Sequence, residues 1–308
     1  MITAVKSKAT LAWFSSPLAG EAQAADDPVM ATPLSVVVTT LNNADTLGAC
    51  LGAVGWAEER VVLDSFSSDE TLDIARAHGA RILQHEFQGY SRQKQMAIDA
   101  ATHDWVLLLD ADEVISPAAA DEIQALLEAG PSADAYTLPR IEQLFWRWSH
   151  PSVRMNHFLR LFDRRCTAMN AVPIHAAPES TGVVAPLTQG FFHYGEPDIH
   201  TKVEKLNYYS SGLVETYAAR ERRPSPWLLL VYPPFFFVKS YILKRNFLSG
   251  WPGFIGSVCM AFYAFLKIAK GFEHYQPSVF GQDDPPKRGC SCDAGAERSR
   301  PDRDSPTA

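Results

Sequence analysis

The apolar positions of this chain fall into two regimes. Between residues 34 and 138, short unbroken apolar runs alternate with stretches of helical period, whereas beyond residue 200 the apolar runs lengthen and charges thin out. In the first regime, Leu34 to Thr40 (LSVVVTT) is β-branched and predicts a buried strand. Asp45 is placed to cap a helix running to about Val54. Arg60 to Leu63 predicts a second strand ending at Asp64. Ser67 and Glu70 have the spacing of a capping box for a helix through His78, stopped by Gly79. Arg81 to Gln84 is a third short strand, Ser91 to Ala101 a helix, and Trp105 to Leu109 a fourth strand. Ser116 caps the next helix, with Pro117 in its first position, and Ala135 to Leu138 is another strand.

Strands alternating with helices predict an α/β sheet, largely parallel. In such sheets ligands bind beyond the carboxyl ends of the strands. Thr40, Asp64 and Asp110 all fall at those ends, where a nucleotide would sit. The most informative of these ends is Asp110-Ala111-Asp112, reached directly from the run WVLLL. Residues i and i+2 of an extended chain point the same way, so both carboxylates can converge on one cation. Oxygen ligands of this kind suit Mg²⁺ or Mn²⁺ shared with a substrate's phosphates. A calcium loop is disfavoured because its sixth position would be Ile115 where glycine is required. The chain has no G-x-G-x-x-G after the first strand and no G-x-x-x-x-G-K-[ST], which argues against dinucleotide dehydrogenases, P-loop enzymes and nucleotidyltransferases with a phosphate loop.

The second regime changes the picture of partners. Residues 30–130 hold 16 acids and 5 bases, whereas residues 200–273 hold 4 acids and 10 bases together with the densest run of Trp, Phe, Tyr and Leu. Basic, aromatic and apolar character together predict contact with an anionic membrane surface rather than nucleic acid. Thr201 to Arg220 reads as a helix. Pro226 to Val238, broken by Pro233-Pro234, is too short to span a bilayer. Asn246 to Leu266 carries no charge and is long enough, but Gly250, Pro252, Gly253 and Gly256 favour a helix lying in the interface over a true span.

At the amino end, Lys6, Lys8 and Ala22-Gln23-Ala24 imitate a signal peptide, but Ser15, Ser16 and Pro17 interrupt its apolar patch. A disordered leader over 1–32 is expected, and Met30 offers an alternative start. Five scattered cysteines form no ligand array and read as reduced and intracellular. The resulting organisation is a leader, a catalytic domain over 33–200, a helical membrane-associated region over 201–273, and a polar disordered tail over 274–308.

The segment from Leu34 to about Gly130 resembles the family 2 glycosyltransferases of GT-A fold, and more narrowly the lipopolysaccharide-core β-glucosyltransferase branch. The resemblance rests on LSVVVTTLNN, VVLDSFSSDET, FQGYSRQKQMAID and DWVLLLDADEVISP, in order and correctly spaced. It continues through RLFDRR, VPIH, His193-Tyr194, VEKLNYYS and AFYAFLKIAKGFE, to about residue 273. It implies a GT-A type mixed, mainly parallel sheet flanked by helices, with an amphipathic helical region after it. It implies inverting transfer of a hexose, glucose above all, from a UDP-sugar to a glycolipid acceptor such as the lipopolysaccharide inner core. The enzyme would work at the cytoplasmic face of the inner membrane.

By the same resemblance, Asp64 reads the uracil, Asp69 shapes that pocket, Lys94 lies near the donor, Asp110 lies near the ribose and the metal, and Asp112 holds the divalent cation. Three departures stand out. Phe66 replaces a glycine of the family's D-S-G-S pattern, so its turn must avoid a positive φ or carry strain. Asn43 stands where an acid is common. Ala176 replaces the glutamate of V-H-E, the candidate general base, leaving Glu179 or His175 for that role. Ala176 and Phe66 also motivate the rival reading, a degenerate nucleotide-sugar-binding or scaffold protein.

Overall fold

The computed structural model describes residues 31–171, 176–219 and 224–276. The leader through residue 30, His175 and the tail beyond 276 lie outside the described residues. The described chain divides into two compact units, residues 31–141 with 155–194, and residues 142–154 with 195–276.

The first unit opens with β1 (Leu34–Thr40), α1 (Ala44–Ala53), β2 (Glu59–Asp64), α2 (Thr71–Ala77), β3 (Arg81–Gln84), α3 (Tyr90–Asp99) and β4 (Trp105–Asp110). It continues with β5 (Glu113–Ile115), α4 (Pro117–Ala129), β6 (Ala135–Leu144), whose end enters the second unit, and β7 (Arg147–Trp148), which lies in that unit. The chain then returns with β8 (His157–Asp163), β9 (Thr167–Met169), β10 (Pro178–Ser180), β11 (Val184–Pro186) and β12 (Phe191–Glu196).

The sheet order is β3-β2-β1-β4-β8-β6-β12-β5, with β9 and β10 forming a separate hairpin. β3, β2, β1 and β4 are parallel, while β8 joins β4 and β6 antiparallel and β12 joins β5 antiparallel. The architecture is therefore a mixed sheet with flanking helices, of the GT-A type.

β1 and β4 hold unbroken apolar runs because both faces of the sheet are covered there. Val36 and Val38 of β1 and Leu107 and Leu109 of β4 pack on one face with Leu47, Leu51 and Ile123 of the helices. Val37, Val106 and Leu108 pack on the other with Ala97 and Ile98 of α3. The alternation of side chains along each strand thus sends successive apolar residues into two cores. The chain leaves β3 on one side of β1 and re-enters the sheet as β4 on the other. That reversal opens the switch-point crevice at the strand carboxyl ends.

Two helix starts differ from the sequence expectation. α1 begins after Asn43, and Asp45 sits in its first turn rather than at the cap. At α2 no side chain caps from the N-cap residue Glu70, because the Ser67 hydroxyl bonds to Asp64 instead, and Asp69 accepts from the Thr71 amide at 3.0 Å. The cap of α4 is as expected, with Ser116 Oγ accepting from the Ala119 amide at 3.1 Å. Gly79 terminates α2 with φ of +66°.

The second unit is helical, with α5 (Ile199–Ala219), α6 (Leu228–Val238) and α7 (Gly250–His274). A π-turn over Lys239–Leu243 and a 3₁₀ turn over Asn246–Ser249 join α6 to α7. The turn is held by Ser240 and Ser257, whose hydroxyls lie 3.1 Å apart, and by Asn246 donating to Ser240 at 3.0 Å. Gly253 is required there, since a Cβ would fall 1.9 Å from the Asn246 carbonyl oxygen. The run Asn246–His274 has the length of a membrane-crossing helix and holds an 18-residue window of mean hydropathy 1.5, while Leu228–Leu243 is apolar but shorter.

Candidate active site

The register of the parallel strands brings the sequence's polar positions to one edge. Thr40 pairs with Asp64 across β1 and β2, Thr39 with Asp110 across β1 and β4, and Asp64 with Gln84 across β2 and β3. The loops after β1 and β2 are then stitched together. The Asn42 amide donates to Ser67 Oγ at 2.8 Å, Ser68 donates its amide to Asn42 Oδ1 at 2.8 Å, and the Asn43 amide donates to Thr71 Oγ1 at 2.8 Å.

Asp64 is fully buried and accepts from the Ser67 amide at 3.0 Å, from the Ser67 hydroxyl, and from Gln84 Nε2 at 3.1 Å. Asp69 accepts from the Ala44 amide at 3.1 Å as well as from Thr71. Partial burial opposes its ionisation, yet the Thr71 and Ala44 donors outweigh this and hold its carboxyl below the usual range. Phe66, between these two acids, does adopt the left-handed backbone, with φ of +65°, and its ring is exposed. A left-handed non-glycine residue stores roughly 1–2 kcal/mol of strain.

The paired acids occupy the β4–β5 corner. Lys94 of α3 reaches Asp110 Oδ1 at 2.6 Å, and Arg160 of β8 lies 3.6 Å from Asp110 Oδ2. Arg160 also grips Glu113 in two parallel bonds, Nε to Oε2 at 3.0 Å and Nη2 to Oε1 at 2.7 Å. Glu113 Oε2 accepts in turn from the Asp110 amide at 3.2 Å. Burial raises the cost of the Asp110 charge, but the Lys94 ammonium and the Arg160 guanidinium overcome it and hold its pKa down.

Asp112 is perturbed the other way. Burial pushes its carboxyl up, His193 opposes this, and the neighbouring Asp110 and Glu113 charges add to the rise. Its partner is His193 of β12, with Nε2 at 3.6 Å from Asp112 Oδ2. β12 is registered here by His193 opposite Glu113 and by the Tyr194 amide donating to the Asp112 carbonyl at 2.8 Å.

An oxygen and a nitrogen donor face each other here, on an anion that its surroundings disfavour; the carboxylate suits Mn²⁺ or Mg²⁺, and the imidazole is placed to be a second ligand. Among the described residues no third His, Cys, Asp or Glu completes a protein ligand set, so a cation would need ligands from substrate phosphate and water.

Glu179, the sequence candidate for the base, is exposed on β10 and accepts from Asn170 Nδ2 at 3.2 Å. Its hairpin is tied to the helix that carries Lys94, since the Met169 amide donates to Gln95 Oε1 at 2.8 Å and Ser91 Oγ donates to the Asn170 carbonyl. Sequence reasoning missed Glu113, Arg160 and His193 as site residues. Each lay in a motif, D-A-D-E, R-L-F or H-Y, but nothing local announces that they meet.

The domain thus gathers its polar groups at the carboxyl edge of the parallel strands, where α/β domains bind nucleotides. The family model described as glycosyl transferase family 2 matches residues 35–178, and the chain carries a domain of that family. An uncharacterized glycosyltransferase of Rickettsia felis is 28% identical over 251 residues, covering 77% of this chain and 88% of that protein. The lipopolysaccharide core biosynthesis glycosyltransferase LpsC of Rhizobium meliloti is 27% identical over 252 residues, covering 79% of this chain and 93% of its own. Among solved structures, a mannosyltransferase of Pyrobaculum calidifontis in complex with GDP-Man and Mn²⁺ is similar at 16% identity and a TM-score of 0.49, covering 81% of this chain and 90% of that one.

Proposed function

We propose that the protein is a metal-dependent, inverting hexosyltransferase. It moves glucose or a similar hexose from a UDP-sugar to a hydroxyl of a membrane-bound glycan such as the lipopolysaccharide inner core. The observation that carries this is the β4–β5 corner, where Asp110 and Asp112 stand at the switch point of a family 2 domain with opposite electrostatic settings. Thr40, Asp64, Asp69, Lys94 and Asp110 form the nucleotide side. Asp112 and His193 would hold Mg²⁺ or Mn²⁺, which would supply charge stabilisation to the departing diphosphate.

Transfer itself requires the acceptor oxygen to form a bond to the anomeric carbon as the bond from that carbon to the UDP oxygen breaks. The hydroxyl proton passes to a base, for which Glu179 and His175 are the candidates. Lys94 and Arg160 keep the acids from repelling the donor. The similarity to LpsC supports the choice of acceptor.

The helical unit holds the enzyme to the cytoplasmic face of the inner membrane. None of the residues of α6 is buried, and Trp227 and Trp251 are 73% and 75% exposed, which suits helices lying in the interface.

UDP release should be measured with a panel of UDP-sugars and truncated core glycans, with Mn²⁺ or Mg²⁺ and then EDTA. Metal-dependent release enhanced by one donor–acceptor pair supports the proposal. UDP binding without release would favour the degenerate binder, which Ala176 motivates, and the Ala176→Glu variant would then be expected to gain turnover.

A further inference from the structure

We propose that Lys239 and Lys267 form a docking site for the phosphate of an anionic bilayer phospholipid. The inference rests on the membrane reading above and deepens it from a surface to a site. Lys239, at the start of the π-turn that follows α6, and Lys267 of α7 are gathered on one ring. The Lys239 ammonium lies 5.6 Å and the Lys267 ammonium 5.3 Å from the centre of Phe236, and Lys267 is also 4.9 Å from the centre of Tyr263.

Their charges are uncompensated. Residues 224–276 hold five Lys and Arg against a single acid, Glu273. Neither Lys239 nor Lys267 has a carboxylate at ion-pair distance among the described residues. Lys270, one helical turn from Lys267, is by contrast spent on Asn207 and Ser211, with three contacts of 2.7–2.8 Å.

The surroundings decide what anion fits. Phe235, Val238, Ile242 and Phe262, on α6, the π-turn and α7, are 54%, 48%, 50% and 43% exposed. An ammonium on an apolar surface is costly unless paired, and its flexible four-carbon stem lets it reach a nearby phosphate. A soluble anion would pair the lysines yet leave the apolar faces in water. A phospholipid satisfies both, its phosphate at the ammoniums and its acyl chains against the rings.

The test is vesicle flotation of the full chain at low salt, with phosphatidylcholine alone and with added phosphatidylglycerol. Three proteins are compared, the wild type, K239Q/K267Q, and the charge-matched control K244Q/R245Q in the turn between the helices. Glutamine has a helix propensity close to that of lysine, so the helices should persist, which circular dichroism checks. The wild type should prefer phosphatidylglycerol, and K239Q/K267Q should lose about thirty-fold in partitioning, some five-fold per charge. The control should lose distinctly less. Equal losses in both variants, or none in either, would overturn the site while leaving membrane association intact. A wild type that floats with neither vesicle would overturn the membrane reading and the site with it.

Discussion

Replacing Glu113 by glutamine removes one charge from the Arg160 pair while keeping its shape. Glu113 is 0% and Arg160 6% exposed, and the guanidinium lies 5.5 Å from the ring centres of both Phe158 and Phe191. In the variant the buried guanidinium keeps Asp110, 3.6 Å away, as its ion-pair partner among the described residues, with the Asp112 charge also acting on it. Breaking a buried pair costs about 3–5 kcal/mol, and the residual Asp110 contact puts the expectation near ~3 kcal/mol. For a unit of this size that corresponds to a fall in Tm of roughly 6–12 °C. Urea unfolding followed by circular dichroism measures the loss for E113Q, R160M and the double variant. The double variant should recover at least ~2 kcal/mol of the summed single losses, because it no longer buries a lone charge. A loss below ~1 kcal/mol for both single variants, or strictly additive losses, would refute the claim that this pair organises the corner.

Further outcomes are expected. Asp112→Asn should abolish transfer and leave Tm within a few degrees, checked by UDP release and thermal melting; retained metal-dependent turnover would remove Asp112 from the metal role. Phe66→Gly should raise stability by about 0.5–1 kcal/mol, the left-handed strain relieved less the entropy of glycine, as measured by urea midpoints. Glu59 is held at a pKa of about 2. Burial opposes this, and hydrogen bonds from Ser35, Thr102 and Arg81 outweigh it. Because its folded pKa is depressed, its contribution is present above the unfolded value and lost as pH falls from near 4.5 towards 2. Glu59→Gln should therefore be less stable at neutral pH, and its stability should fall less steeply over that acid range.

Much of the fold was legible along the chain because strand burial on both faces writes itself as an unbroken apolar run. Trp105 to Leu109 could be nothing else, and the acids that end it had to lie at the sheet's carboxyl edge. Ser116-Pro117 was equally readable, since a cap acts within one turn. Local spacing misled where a side chain had a better distant partner. Ser67 had the spacing to cap α2, but Asp64 took its hydroxyl, and Asp69 took the Thr71 amide instead.

By itself, then, the sequence determined the alternating sheet, the positions of Thr40, Asp64, Asp110 and Asp112 at its edge, and the basic, aromatic character of the last third. Only the tertiary structure decided which cations stand against those acids. Lys94, Arg160 and His193 come from a helix and two strands that the chain order separates, and antiparallel β8 and β12 bring two of them in. Pairing across a sheet depends on strand order and register, which leave no periodic trace in the chain. The same physics gathered Lys239, from the turn after α6, and Lys267, from α7, on one phenylalanine, where the sequence showed only apolar runs.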